Sequence, residues 1–317
     1  MESSLRIDEG RAMSAIIATI QNLVEGHSSE GVLLGLSGGI DSSLLAACAV
    51  RALGADRVHA RYLYDRTSSR VLHSNARLAA DWLGIGFQVR DIDPEMETRG
   101  VYSQVAVRVL NVAGWLNRIL VWLYCSLVGE TPFVSSLRRG GISGEDMSSA
   151  YGQYVRDPEW AINTRHIWRR RVLEEEARLN NWLLLGAANR TEWLTGWFVK
   201  GGVDDLPFQP LKGLYKTQVR QLAAFLGVPE AIRSQSPSPD MVKGITDEHG
   251  LGMCYEKIDL ALDYLEGGLT EEELLQAGVT KAEVRVVEQL KQLSGWKREA
   301  GLKPPPVDGG PHGNVRV

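Results

Sequence analysis

Asp41 keeps unusual company. It follows Ser37-Gly38-Gly39-Ile40 and precedes Ser42 and Ser43, so a carboxylate stands among paired glycines and hydroxyls. Glycines that accept positive φ let an anion approach main-chain N–H groups closely. The hydroxyls of Ser37, Ser42 and Ser43 add further donors. A carboxylate repels a bare phosphate, so inside an anion cradle it points to a divalent cation bridging the two. The competing reading, a glycine turn with an acidic residue favouring the first helical turn, accounts less well for S-G-G-x-D-S placed directly between an apolar strand and an apolar helix. No Gly-Lys-Ser/Thr follows the glycines, which excludes a Walker A loop.

The elements around this loop are set by local pattern. Val32, Leu33 and Leu34 form a short apolar run with the character of a buried parallel strand, and a helix is predicted from about Ser42 onward. Strand, glycine turn and helix aim the positive end of a helix dipole at an anion. Arg57 to Tyr64 reads as a second strand, followed by a polar turn (Asp65 to Ser69) and a helix to about Leu83. Phe87 to Ile92 reads as a third strand. This rhythm predicts an α/β fold, a doubly wound parallel sheet with a nucleotide at the carboxyl ends of its strands. Arg61 and the turn after it would face that edge, either lining an adenine pocket or standing as a solvated arginine. Trp182 to Leu185 is a fourth strand ending at Gly186, with a helix over Glu192 to Phe198. Glu192 lies just past a strand end and near a helix start, where a carboxylate binds metal or caps the helix.

Other helices are expected over Ile7 to Gly26, Ile162 to Asn181, Tyr215 to Leu226, Gly252 to Leu265, Thr270 to Ala277 and Thr280 to Leu293. Most of the charge run from Arg169 to Glu176 reads as a solvated helix face. Ser236 to Asp240 reads as a rigid polar turn, and the Pro- and Gly-rich tail 303–317 as flexible. The strongly apolar stretch Val105 to Val128 is interrupted by Arg108, Asn111, Asn117 and Arg118, which weighs against a membrane span. It reads as a helical hairpin broken near Gly114, or as a helix burying its apolar face in a subunit partner; the oligomer contact is preferred. Thr131 to Asp157 reads as a mobile flap or a surface loop.

The chain has 317 residues with a net charge of -4, which argues against a general nucleic-acid surface. Its three cysteines are far apart, so no zinc site or disulfide framework is expected, and a reducing cytoplasm fits. No secretory leader is evident.

The glycine loop resembles that of the ATP pyrophosphatases, and later blocks extend the likeness to one family among them, the ammonia-dependent NAD synthetases. The blocks are Leu185-Gly186-Ala187-Ala188-Asn189-Arg190-Thr191-Glu192, Thr195-Gly196-Trp197-Phe198-Val199-Lys200, Pro210-Leu211-Lys212-Gly213-Leu214-Tyr215-Lys216-Thr217-Gln218-Val219, Leu226-Gly227-Val228-Pro229-Glu230, Pro237-Ser238-Pro239-Asp240, Thr246-Asp247-Glu248, and Leu251-Gly252-Met253 with Tyr255. The resemblance spans roughly Arg6 to Gly267. It implies an adenine nucleotide alpha hydrolase-like domain over residues 1–267 with a helical insertion at about 98–160. A C-terminal helical extension at 268–302 and the tail follow.

The resemblance also implies the chemistry. A substrate carboxylate, deamido-NAD, attacks the α-phosphate of ATP with Mg2+ on the phosphates. Ammonia then displaces AMP from the acyl adenylate to give the amide. Asp41 and Glu192 match the magnesium ligands. Lys216 matches a lysine that stabilises charge on the leaving pyrophosphate or on the attacking carboxylate, and Lys200 matches a second lysine. Ser37, Gly38, Gly39, Ser42, Arg61 and Ser238 are the ATP-binding candidates. Asn163 and Arg169 are acceptor-binding candidates, together with Asp204 and Asp205 if the loop is shifted. A homodimer is implied, and with no glutaminase domain in the sequence, ammonia would be free or come from a separate amidase.

Some positions depart from that pattern. The family loop after the lysine carries two aspartates where Val203 and Pro207 stand at constant spacing. Its threonine after Leu-Gly is Ala187, and one of its two arginines before the fourth strand aligns with Ile167, unless Arg165 substitutes. These departures bear on the acceptor, so an amidoligase for a different small carboxylate is one alternative. A sulfur-transferring or RNA-modifying pyrophosphatase is disfavoured by the scattered cysteines and the lack of a basic patch. A non-catalytic nucleotide-binding subunit is a further alternative, and it has no need for Asp41, Glu192 and Lys216 together.

Overall fold

The computed structural model describes residues 5–140, 150–238 and 242–299, with side chains from residue 156 onward in the second of these segments. The predicted flap at 131–157 is described in part, and the tail 303–317 and Asp240 lie outside the described residues.

Four parallel strands, β1 (Gly31–Gly35), β2 (Val58–Tyr64), β3 (Gly86–Asp91) and β4 (Trp182–Leu185), lie side by side in the order β3-β2-β1-β4. The run Val32, Leu33 and Leu34 is apolar throughout because both faces of the sheet are covered. Val32 and Leu34 enter one core, formed with α1 (Glu9–Gly26), α2 (Ile40–Leu53), α3 (Arg70–Leu83) and α10 (Lys216–Phe225). Leu33 and Leu184 point the other way. There they meet Met96 of α4 (Asp93–Thr98), Val107 of α5 (Val105–Leu110) and Trp160 and Leu173 of α8 (Ala150–Leu179). The predicted doubly wound sheet is the observed architecture.

Successive strands step from β1 to β2 to β3, and the chain then returns to β4 on the opposite side of β1. That reversal opens a crevice beyond the carboxyl ends of β1 and β4, where open α/β sheets hold ligands.

The insertion departs most from expectation. α8 starts at Ala150, twelve residues before the expected Ile162, and runs through Pro158. Proline removes one helical donor, but Trp160 and Ala161 behind it are buried against the sheet, and that packing carries the helix across. Thr131 caps α7 (Pro132–Arg138), so the described start of the expected flap is helical. The apolar stretch breaks at residues 111–113 into α5 and α6 (Gly114–Val128). α6 is not buried: Trp115 is 67% exposed, Trp122 65% and Leu127 85%. Among the described residues no single helix is long and apolar enough to cross a membrane. α6 and α7 pass that test only as a pair, bent by 54°.

Four short helices, α9 (Arg190–Thr195), α11 (Glu230–Arg233), α12 (Asp247–Leu251) and α16 (Gly295–Arg298), close gaps between longer ones. A second core joins α7 and Tyr215 to α13 (Tyr255–Leu265), α14 (Glu271–Gln276) and α15 (Lys281–Leu293), with residues from both sides of position 267.

Candidate active site

The glycine loop leaves β1 and opens α2. Gly38 has φ of +80°, and a Cβ there would stand 2.0 Å from the carbonyl oxygen of Leu72, so only glycine fits against α3. Ser37 and Ser42 bond each other through their hydroxyls at 3.0 Å, and Ser43 donates to the carbonyl of Gly39 at 2.9 Å. These bonds hold the turn in shape at the head of α2. Asp41 is in that helix's first turn.

Two further elements bring side chains to Asp41. The loop after β4 supplies Asn189, whose Nδ2 donates to Asp41 Oδ1 at 2.9 Å. Asn189 also caps α9 and accepts from the N–H of Glu192, while Glu192 Oε2 accepts from the N–H of Asn189 at 3.2 Å. Glu192 is therefore a capping carboxylate through one oxygen. Its other oxygen, Oε1, is 3.6 Å from Lys216 Nζ, and Lys216 Nζ donates to Asp41 Oδ2 at 2.5 Å. Lys216 opens α10 and its side chain is only 2% exposed.

Electrostatics follow from that burial. Glu192 is raised well above the usual carboxylate range, chiefly by desolvation and then by the charge of Asp41, with Lys216 opposing. Burial pushes the Lys216 ammonium down, but Asp41, Glu192 and Asp247 hold it above its ordinary value. Asp247, at the start of α12, is raised by burial and accepts a hydrogen bond from the Tyr255 hydroxyl at 2.9 Å.

These groups border a cleft of about 800 Å³. Ser37, Gly39, Asp41, Ser42, Ser238, Asn163, Arg169, Asp204, Glu192 and Lys216 all contribute to its walls, as does Ala187. Other candidates are placed differently. Arg61 borders the cleft, but it lies mid-strand rather than at the strand end, and its guanidinium is committed to Glu176 of α8, with Nε at 2.7 Å. Lys200 lies outside the walls; its Nζ donates to the carbonyls of Lys297 and Glu299 at 2.8 and 3.2 Å. Asp205 lies outside them too, accepting from the N–H of Gly201 at 2.8 Å. Arg169 directs its guanidinium at the turn after β2, 3.5 Å from Asp65. Arg165 is buried and donates to Thr67 in that same turn at 2.9 Å, and Ile167 packs on Val199.

Sequence reasoning assigned no role to Asp247, Tyr255, His166 or Lys297. His166 borders the cleft with Nδ1 3.1 Å from Asp204. Lys297, from α16, is buried in the wall and donates to the carbonyls of Gly196 and Phe198 at 2.9 and 2.6 Å; burial lowers it to about 8. Asp247 and Tyr255 stand within sequence blocks that resemble the family, which is the available signal. Lys297 stood in a segment read only as an extension.

The two carboxylates suit a magnesium ion shared with a triphosphate. Among the described residues no group of three or more His, Cys, Asp or Glu could hold a metal unaided. A magnesium bound here would take its remaining ligands from phosphate and water, its usual habit.

Known proteins resemble this chain in sequence and in fold. The family profile described as NAD synthase matches residues 12–112 and 145–301, which takes in the C-terminal helices and leaves out part of the insertion. The chain is 34% identical over 252 residues to the NH(3)-dependent NAD(+) synthetase of Thermotoga maritima, covering 80% of this chain and 86% of that one. It is 29% identical over 303 residues to the enzyme of the same name from Methanosarcina mazei, covering 95% and 98%. Solved structures share the fold. NMN synthetase from Francisella tularensis superposes with a TM-score of 0.65 at 22% identity, covering 95% of this chain and all (100%) of that one. NH3-dependent NAD synthetase from Campylobacter jejuni does so at 0.61 and 21%, covering 95% and 99%. The chain belongs to the NAD synthase family.

Proposed function

We propose that this chain is an ATP-dependent, amide-forming ligase that converts deamido-NAD, ATP and ammonia to NAD, AMP and pyrophosphate through an acyl adenylate. The observation that carries the reading is the meeting of Asp41, Glu192 and Lys216, from three separate elements, beside the glycine turn at the mouth of the crevice.

The turn at Gly38 and Gly39, with Ser37 and Ser42, holds the ATP phosphates at the start of α2. Asp41 and Glu192 are the residues that would hold magnesium, which would supply charge neutralisation on the phosphates. Lys216 stabilises charge on the oxygens between the carboxylate under attack and the leaving pyrophosphate. The substrate carboxylate oxygen attacks the α-phosphorus and the bond to the β-phosphate oxygen breaks. Ammonia then adds to the acyl carbon, AMP leaves, and a proton is lost to solvent. The protein's share is positioning and fixed charge.

The second reading keeps the chemistry and changes the acceptor. Val203 packs against the core and proline stands at 207, so at those two positions the loop at 200–210 offers no carboxylate. Incubation with ATP, Mg2+ and ammonium plus either deamido-NAD or deamido-NMN separates the two. AMP with NAD supports the first; AMP only with the mononucleotide supports the second. AMP with neither acid refutes the first and removes the mononucleotide as the acceptor of the second. Asp41→Asn is expected to abolish turnover while leaving the fold intact.

We also propose that a second copy of this chain covers the exposed face of α6. Leu120, Val121, Tyr124 and Leu127 of α6 form part of the cleft wall while Trp115 and Trp122 face outward, so the covering would complete the rim of the site. Trp122→Glu is expected to give monomers by light scattering; an unchanged mass rules this face out.

A further inference from the structure

We propose that Asp259, on α13 and outside the cleft, is a positioning residue that fixes the separation of Glu192 and Lys216. The inference rests on the ligase reading given above, in which those two residues act together.

Asp259 is fully buried. Its Oδ1 accepts from the Thr191 hydroxyl at 2.5 Å, and its Oδ2 accepts from the main-chain N–H of Thr217 at 2.7 Å. Thr191 Oγ1 in turn accepts from the main-chain N–H of Lys216 at 2.9 Å. Thr191 is the residue before Glu192, and Thr217 is the residue after Lys216. One carboxylate therefore ties the first turn of α9 to the first turn of α10, one residue away from each group at the cleft.

Helix first turns carry N–H groups without intrahelical partners, and these need acceptors when buried. Asp259 supplies an acceptor at the head of α10 and passes a second one on through Thr191. Neither Thr191 nor Asp259 borders the cleft, so any effect on turnover passes through Glu192 and Lys216. A brace that served stability alone would leave the kinetic coupling to Lys216 at zero.

The full chain is assayed with ATP, Mg2+, ammonium and deamido-NAD. Asp259→Asn keeps the shape but loses one acceptor. It is expected to lower kcat by about 30-fold or more and leave KM for deamido-NAD within about threefold. Thr191→Val should follow it, and Thr191→Ser, which keeps the hydroxyl, should stay within about threefold of the parent. In a Lys216→Gln background, Asp259→Asn should change the residual kcat by less than about threefold, because residues acting as one unit are not additive. The proposal is overturned if Asp259→Asn stays within threefold of the parent, or if its full factor persists without Lys216. Should Asp259→Asn fail to fold, the Thr191→Val and Thr191→Ser pair decides the matter by the same thresholds. A parent chain that does not turn over deamido-NAD overturns only the acceptor reading. The same variants are then read by calorimetric Mg2+–ATP affinity, where Asp259→Asn should weaken binding about tenfold and Thr191→Ser should not. Unchanged affinity in Asp259→Asn overturns the positioning role.

Discussion

Replacing Lys216 by Met removes the cation from between two carboxylates and leaves a chain of similar length in its place. Lys216 Nζ stands 2.5 Å from Asp41 and 3.6 Å from Glu192. At an effective dielectric near 20, those separations correspond to attractions of roughly 7 and 5 kcal/mol. Desolvating three charges offsets most of this, so the ion cluster as a whole contributes little net stability. Removing one partner is another matter, because it strands the others, and the usual cost is about 3–5 kcal/mol. The loss should depend on pH. Glu192 is already raised by burial and then by Asp41, with Lys216 pulling the other way, so the variant raises it further. A carboxyl whose folded pKa exceeds its unfolded one binds more protons when folded; its contribution is present below the unfolded value and lost as pH rises through the folded one. The gap between parent and Lys216→Met should therefore be wider at pH 8 than at pH 5.5. Urea unfolding followed by tryptophan fluorescence, with chelator and no nucleotide, measures both. A gap under about 1 kcal/mol at pH 8, against the expected cost, would refute the reasoning, as would an equal gap at both pH values. Turnover by the variant should fall by about 10²- to 10³-fold.

Gly38→Ala places a methyl 2.0 Å from the Leu72 carbonyl oxygen at a φ of +80°. It should destabilise by about 2–3 kcal/mol and weaken Mg2+–ATP binding at least about tenfold by calorimetry; unaltered binding would remove the turn from the phosphate site. Burial first, against the bonds from Thr191 and Thr217, raises Asp259 to about 6 from its ordinary 3.8. Its protonated form is thus favoured in the fold, so the stability of the parent relative to Asp259→Asn should decline by about 2 kcal/mol between pH 4 and 7. Urea midpoints at those two values check the sign, and a rise with pH would contradict it.

What the sequence disclosed was local. The apolar run ending at Gly35, the glycine pair and the small-residue helix behind it determine their own geometry, as does the Asn189–Glu192 capping box. The strand rhythm puts Arg61 at the nucleotide edge, and it borders the cleft, but the direction of its guanidinium is set by Glu176, 115 residues later. The sequence pattern starts this helix at Ile162, yet the buried face at Trp160 and Ala161 extends α8 back through Pro158 to Ala150. Lys216 was found through resemblance alone, since its closest partner, Asp41, is 175 residues away. Asp259 and Lys297 were passed over for the same reason. A buried polar side chain is legible only once the groups that satisfy it are in place, and theirs come from distant segments.

The remodelled loop after Lys200 shows that two adjacent carboxylates need not be interchangeable. Asp205 turns inward: it accepts from the N–H of Gly201, and Lys200 Nζ lies 3.7 Å away, so its charge closes the loop on itself. Asp204 is held the other way. Gln209 accepts from the N–H of Ala188 at 2.8 Å and donates to the Asp204 carbonyl at 3.0 Å, which fastens the loop to the segment after β4. Gly186 makes room for this clamp, because a Cβ there would stand 2.4 Å from Gln209 Oε1. With Val203 and Leu206 drawn into the core on either side, the backbone presents Asp204 to the cleft opposite His166. The loop thus keeps an acidic group on the wall of the site by register and clamping, even though the spacing of its aspartates has changed.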